Sequence, residues 1–140
     1  MRFVDTNVLL YAISTDAGER DKAARARELL SARDLALSAQ VLQELYVQAT
    51  RQSRADALTH DQAAALVTAY GRFPVQSTTL ELVHAAMAAS HRHGLSYWDA
   101  AIIEAARLSG CAEVLSEDLS SSQDYDGVTV TNPFADVAQP

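Results

Sequence analysis

Two aspartates occupy equivalent places near opposite ends of the chain. Arg2-Phe3-Val4 is a short apolar run that breaks at Asp5-Thr6-Asn7 into Val8-Leu9-Leu10-Tyr11, the pattern of a buried strand passing into a helix. Glu113-Val114-Leu115-Ser116 is a second such strand, and it ends in Glu117-Asp118. Asp5 and Asp118 therefore lie at the carboxyl ends of strands, where open α/β sheets collect their ligands. One aspartate in that position reads as a turn or cap former. Two of them point to a site.

Two further acids lie on helices. Asp99 shares a stripe with Ile102, Ile103 and Ala106, which directs it inward, while Ser96-Tyr97-Trp98-Asp99 also has the form of a capping box. Cap and functional carboxylate are both open readings. Glu44 flanks Val41, Leu45 and Val47 on a helix of buried character, where a glutamate requires a partner, either Arg51 or a shared cation. If the four acids converge with about 6 Å between charges, an effective dielectric near 20 gives about 3 kcal/mol of repulsion per pair. Such a cluster takes up protons or binds a cation. Hard carboxylate oxygens suit Mg²⁺ or Mn²⁺ rather than zinc, and the chemistry that follows is hydrolysis of a phosphodiester.

The elements that must position these acids alternate between strand and helix. Glu19 to Ala32 has helical spacing with Arg20, Lys22, Arg25, Arg27 and Glu28 mostly outside, a solvated face from which some arginines could contact phosphate. Leu35-Ala36-Leu37 is a strand, and Ser38 caps a helix running to about Gln52. Thr59-His60-Asp61-Gln62 has capping-box form and opens a helix to Tyr70, before a short strand at Val75-Gln76. Leu80 to Arg92 is helical with Leu80, Val83 and Met87 on one face, and Ser96 to Ser109 is helical up to Gly110. Ser120 to Asp126 is a loop, and Gly127 turns into the last strand, Val128-Thr129-Val130. This alternation predicts an α/β sandwich on a largely parallel sheet. With no repeat and no linker, residues 1–140 are expected to form a single domain.

Composition sets limits on function. A chain of 140 residues that is 49% hydrophobic and 21% charged is of globular type. It hides roughly 70% of the surface that its unfolded chain exposes, so a bound metal would be functional rather than structural. The net charge of −7 weighs against a nucleic-acid partner, but all the basic residues except Lys22 are arginines, the side chain suited to forked phosphate contacts. Cys111 has no partner in the chain, Met1 leads straight into an apolar strand, and no apolar run approaches the ~20 residues of a membrane span. A cytoplasmic location is expected.

The ordered motifs Phe3-Val4-Asp5-Thr6-Asn7-Val8-Leu9-Leu10-Tyr11, the mid-chain Glu44, Trp98-Asp99-Ala100-Ala101-Ile102-Ile103 and Leu115-Ser116-Glu117-Asp118-Leu119 resemble those of the PIN-domain family. Asp126-Gly127-Val128-Thr129-Val130-Thr131-Asn132-Pro133-Phe134 is similar to the close of its VapC-type toxin members. The resemblance spans essentially the whole chain. It implies a PIN-like three-layer α/β/α sandwich with a largely parallel sheet of about five strands. It also implies a Mg²⁺- or Mn²⁺-dependent ribonuclease acting on single-stranded or looped RNA, a homodimer, and a small antitoxin partner. The catalytic, metal-binding acids implied are Asp5, Glu44, Asp99 and Asp118, with Thr6, Asn7 and Ser116 orienting them. Glu117, beside Asp118, is open as a further ligand, and Asp118 is preferred. The competing reading, a catalytically inactive RNA-binding or interaction module of the same fold, would need a missing acid, and none is missing. His60, His84, His91 and His93 are read as surface residues, Cys111 as an inert thiol, and Tyr97 and Trp98 as packing in the core or a dimer interface.

Overall fold

In the computed structural model, which describes residues 1–120 and 122–137, β1 (Arg2–Val4) is the short buried strand expected from its apolar run. Ser121, inside the predicted loop, and residues 138–140, at the end of the expected domain, lie outside the described residues. Asp5 leaves β1 with extended backbone and caps α1 (Thr6–Ala12). A 3-10 turn at Ala17–Glu19 leads into α2 (Arg20–Leu30), then come β2 (Leu35–Ser38), α3 (Ala39–Ala49) and α4 (His60–Tyr70). Ser38 accepts from the Val41 N–H as the predicted cap of α3, and Thr59 and Gln62 close the predicted capping box of α4. Two-residue β3 (Val75–Gln76) is followed by α5 (Leu80–His93), α6 (Tyr97–Leu108), β4 (Glu113–Leu115), β5 (Asp124–Tyr125) and β6 (Val128–Thr131). Among the described residues no helix is long and apolar enough to cross a membrane.

The strands form one sheet in the order β3-β2-β1-β4-β6-β5, parallel except where β5 runs antiparallel to β6. Parallel crossovers are right-handed, so the helices met on the way from β1 through β2 to β3 cover one face, and α5 and α6, met on the return to β4, cover the other. The packing agrees: α1 lies against α2 and α3, α3 against α4, and α5 against α6. The chain thus reverses direction between β1 and β4, and a crevice opens at their carboxyl ends. Phe3, Val4, Leu35, Leu37 and Val114 fill the sheet's core with no exposed surface.

Three expectations are corrected. The stretch read as a loop contains β5, which adds an antiparallel edge strand to the five parallel ones. Tyr125 pairs with Val128 across Asp126-Gly127, with φ of 53° and 95°, a two-residue turn with both central residues left-handed. The Asp-Gly dipeptide was the signal for that hairpin. The face of α5 bearing Leu80 and Met87 is exposed, and Leu82, Ala86 and Ala89 are buried instead. Small side chains win that face because Ala86 and Ala89 pack on Ala100 and Ala101, letting α5 and α6 approach closely. Finally, α3 is buried on Val41, Leu45 and Ala49 alone, while Val47 is 55% exposed.

Gly127 has open space around the position of a Cβ, so only its backbone angle demands glycine. Gly127→Ala is expected to cost about 1–2 kcal/mol, read as a lower urea midpoint at unchanged slope. An unchanged midpoint would mean that the hairpin does not hold this turn.

Candidate functional site

The register Val4↔Leu115 between β1 and β4 sets the residues that follow each strand side by side. The Asp5 N–H donates to the Leu115 carbonyl at 3.0 Å, which carries the pairing one residue past the strands. Asp5 is only 7% exposed. Its Oδ1 accepts from the Thr6 N–H at 2.8 Å and its Oδ2 from Ser116 Oγ at 2.7 Å. Burial pushes this carboxyl up to about 6, against the pull of those two hydrogen bonds, and the negative charges of Glu44 and Asp118 push in the same direction as burial.

The polar residues around Asp5 distribute the remaining acids. Thr6 Oγ1 donates to Glu44 Oε2 at 2.7 Å, bringing the second turn of α3 onto the start of α1. Gln40 Nε2 donates to Glu44 Oε1 at 3.0 Å and reaches the Trp98 carbonyl at 3.3 Å, tying α3 to the first turn of α6. Glu44 thus has partners in a hydroxyl and an amide, not in Arg51. Asn7 Nδ2 lies 3.2 Å from both Asp118 Oδ2 and Ser116 Oγ, while its Oδ1 accepts from the Glu117 N–H at 3.1 Å. Ser116 Oγ also accepts from the N–H groups of Asp118 and Leu119, folding the loop after β4 around one hydroxyl. Gln40 was missed in the sequence. Its place four residues before Glu44 on one helix face was the available signal.

Adjacent acids after β4 part company. Asp118 is exposed beside Asn7, whereas Glu117 accepts from Tyr11 Oη at 2.6 Å and from Lys22 Nζ at 2.7 Å. Burial pushes Glu117 up, but the Lys22 ammonium and the Tyr11 hydroxyl outweigh it and hold the carboxyl below its ordinary range. Lys22 is therefore not on a solvated face, and its side chain is 16% exposed. Arg25 and Arg27, further along α2, are structural as well. Arg25 reaches the Pro133 carbonyl and Asp136, and Arg27 reaches the Ala12 and Ser14 carbonyls.

Asp99 corrects two expectations. It is exposed rather than inward, because Tyr97, Ala100 and Ala101 are the residues at this end of α6 that pack on Ala86 and Ala89 of α5, and Asp99 lies off that stripe. Ser96 Oγ accepts from the Asp99 N–H at 3.1 Å, but among the described residues the carboxylate makes no return bond to the cap. The cap consumes the backbone of Asp99 and leaves its charge available. Trp98, beside it, is 65% exposed and not a core residue; its ring meets Tyr97 edge-on at 5.0 Å.

The structure thus brings Glu44 and Asp118 into electrostatic reach of Asp5 and sets Asp99 one residue from the Gln40 link. Among the described residues no three Asp, Glu, His or Cys side chains are grouped closely enough to clasp a metal ion as placed. In kind the donors fit a hard divalent cation. All are carboxylate oxygens, and the most buried of them is held near a pKa of 6 in part by its negative neighbours, a cost that a cation would relieve.

A family model of the PIN domain matches residues 2–123. No curated protein matches the chain. Among solved structures the chain is similar to a toxin–antitoxin complex from Klebsiella pneumoniae, at 20% identity and a TM-score of 0.68 over 95% of this chain and 98% of that one. It is also similar to VapC20 of Mycobacterium tuberculosis, described as a sarcin-ricin loop cleaving toxin, at 22% identity and a TM-score of 0.65 over 84% and 92% of the two chains. FitAcB from Neisseria gonorrhoeae matches at 19% identity and a TM-score of 0.62 over 96% and 99%. At such identities the likeness is one of fold.

The carboxyl of Asp5 is raised from 3.8 to about 6, so folding favours its protonated form. That stability is fully present below about pH 4 and is lost as the pH rises through 6, amounting to at most about 3 kcal/mol at pH 7. Without divalent ions, Asp5→Asn is expected to raise the urea midpoint at pH 7, less the hydrogen bond whose acceptor Ser116 loses. Near pH 4 the advantage disappears. A difference between variant and parent that does not vary with pH would refute the account of Asp5.

Proposed function

This chain belongs to the PIN-domain family, and we propose from that premise that it is a metal-dependent endoribonuclease that hydrolyses RNA phosphodiester bonds as the toxin of a toxin–antitoxin pair. The observation that carries this reading is the buried carboxyl of Asp5 at the chain reversal between β1 and β4, within the field of Glu44 and Asp118. Asp5, Glu44, Asp99 and Asp118 would hold Mg²⁺ or Mn²⁺. Such an ion, when bound, polarises a phosphoryl oxygen and supplies hydroxide at neutral pH.

The chain's own residues give the site its shape. Ser116 and the Thr6 backbone fix the buried acid, Thr6 and Gln40 aim Glu44, and Asn7 orients Asp118. These hydrogen bonds restrict the carboxylates before any substrate arrives, so little orientation is left to lose in the reaction. Asp99 and Asp118 keep the outer edge open to solvent, which suits a polymer that must lie across the site.

The toxin reading draws on the toxin–antitoxin complexes that this chain resembles in fold. It gains support from an exposed apolar groove between α3 and α4, lined by Leu42, Tyr46, Val47, Ala64 and Val67, of a kind that marks protein contacts. A small antitoxin is the partner proposed, and a homodimer the assembly.

With purified protein, RNA cleavage is expected in Mg²⁺ or Mn²⁺ and not in EDTA. Asp5→Asn and Asp118→Asn are expected to reduce it to background, and Ser116→Ala to slow it roughly 10–100-fold. Full activity in both aspartate variants would sink the assignment of the acids. A parent protein that binds RNA and leaves it intact with either ion would favour the inactive binding module instead.

A further inference from the structure

A cleft of about 210 Å³ opens beside the carboxylates, lined among others by Asn7, Tyr11, Glu19, Arg54, Glu117 and Asp118. Of the described residues lining it, Arg54 is the one cation. It comes from the loop between α3 and α4 and also borders the neighbouring cleft over Ser14 to Asp16. The acids around it are partly compensated: Glu117 by Lys22, and Glu19 by the hydrogen bond from Ser14 Oγ at 2.6 Å.

Most other arginines near the fold's seams are committed elsewhere. Arg2 pairs with Asp34, Arg25 with Asp136, Arg92 with Asp126 and Arg107 with Glu104. Arg54 is held differently. Its Nε stands 2.7 Å from Asp56 Oδ1 but lacks hydrogen-bond alignment, so this buried N–H has no acceptor among the described residues. Asp56 itself is anchored by the Thr15 N–H and hydroxyl, at 2.9 and 3.2 Å, which fastens the loop to the segment after α1. The result is a guanidinium parked against an anion by charge alone, with its fork unfilled, at the wall of a cleft that it shares with Asp118. A bidentate oxyanion is what a guanidinium fork in that condition recognises.

We propose that Arg54 binds a backbone phosphate of the RNA strand next to the carboxylate site, an inference that rests on the ribonuclease reading. In a chain of net charge −7 the long-range field repels RNA, so a cation at the cleft wall is needed to hold the strand near the acids. Phosphate oxygens fill the open fork while Nε stays beside Asp56, and Asp56 keeps the loop in place through Thr15.

The test is the affinity of a labelled single-stranded RNA, by fluorescence anisotropy in Mg²⁺ from about 50 to about 200 mM salt, with every variant in an Asp99→Asn background to suppress cleavage. Arg54→Gln is expected to weaken binding about tenfold. It should also reduce the slope of log affinity against log salt by about 0.7, the amount for one phosphate contact on a single strand. Arg54→Lys should keep the slope. Arg33→Gln, exposed just before β2 at the opposite edge of the sheet, should change neither quantity. Asp56→Asn decides between contact and bracing: it should bind RNA at least as tightly as its background. Equal weakening by Arg54→Gln and Asp56→Asn with an unchanged slope would reduce Arg54 to a loop brace, and an unaltered Arg54→Gln would overturn the proposal outright. Both results leave the nuclease standing if the parent cleaves RNA. A parent that neither binds nor cleaves RNA overturns the ribonuclease reading and the Arg54 assignment together.

Discussion

The hydrogen bond from Ser116 Oγ to Asp5 Oδ2 crosses the seam between β1 and β4, and the rest of the site is arranged around it. A carboxylate this buried costs free energy unless it is hydrogen-bonded, and Asp5 has two donors for its two oxygens, one from its own helix start and one from the far strand. The parallel pairing of β1 with β4 makes that second donor available, because it places residues more than a hundred positions apart at the same height on adjacent strands. Shifting the register by one residue would exchange Ser116 for a side chain on the other face of the sheet. The sheet's register and the acid's environment are thus one constraint.

From that seam the polar groups fan out in a fixed pattern. Ser116 and Asn7 sit between the two strand-end aspartates, and Thr6 joins the start of α1 to the Glu44 turn of α3. Each is a short side chain with a donor, so it can touch an acid without filling the space that a substrate needs. The division between Glu117 and Asp118 follows from the same loop: once Ser116 Oγ has captured the N–H groups of Asp118 and Leu119, the two neighbours leave on opposite sides. Glu117 falls under α1 and α2, where Lys22 and Tyr11 neutralise it, and Asp118 faces solvent.

Charge is managed in the same local way. The overall balance is acidic, yet the arginines are not an even coat. Arg25 and Arg27 hold α2 to the C-terminal segment and to the end of α1 through backbone carbonyls, a role for which a five-donor planar group is better suited than lysine. The net charge therefore says little about the local field, where Glu44 and Asp118 both act on Asp5 and Asp118 also borders a cleft in which, among the described residues, Arg54 is the one cation. The exposed apolar side chains follow a comparable logic. Val47 and Tyr46 on α3 and Leu80 and Met87 on α5 are surplus to a core that the sheet and the alanine-rich α5–α6 contact already fill.

The sequence by itself determined the alternation of strands and helices, the caps at Ser38, Thr59 and Ser96, and the strand-end positions of Asp5 and Asp118, because these depend on periodicities and residue types within a few positions of one another. It also carried the ordered motifs by which the family could be named, although the roles of the four acids came with that resemblance rather than from their spacing. Several features were decided only by the tertiary structure. That β5 and β6 form the sheet's edge beside β4 depends on contacts across the fold, although Asp126-Gly127 marked the turn between them. The exposure of Asp99 depends on which side of α6 meets α5, and the pairing of half-buried Lys22 on the position of Glu117, which lies 95 residues away. The partners of Glu44 are a threonine from α1 and a glutamine of its own helix, one of them set by packing between elements. Helical and strand periods tell which side of an element is apolar, but they do not tell which neighbour that side meets or where the neighbour ends. Those answers come from the order β3-β2-β1-β4-β6-β5, which joins residues from both ends of the chain at one edge of one sheet.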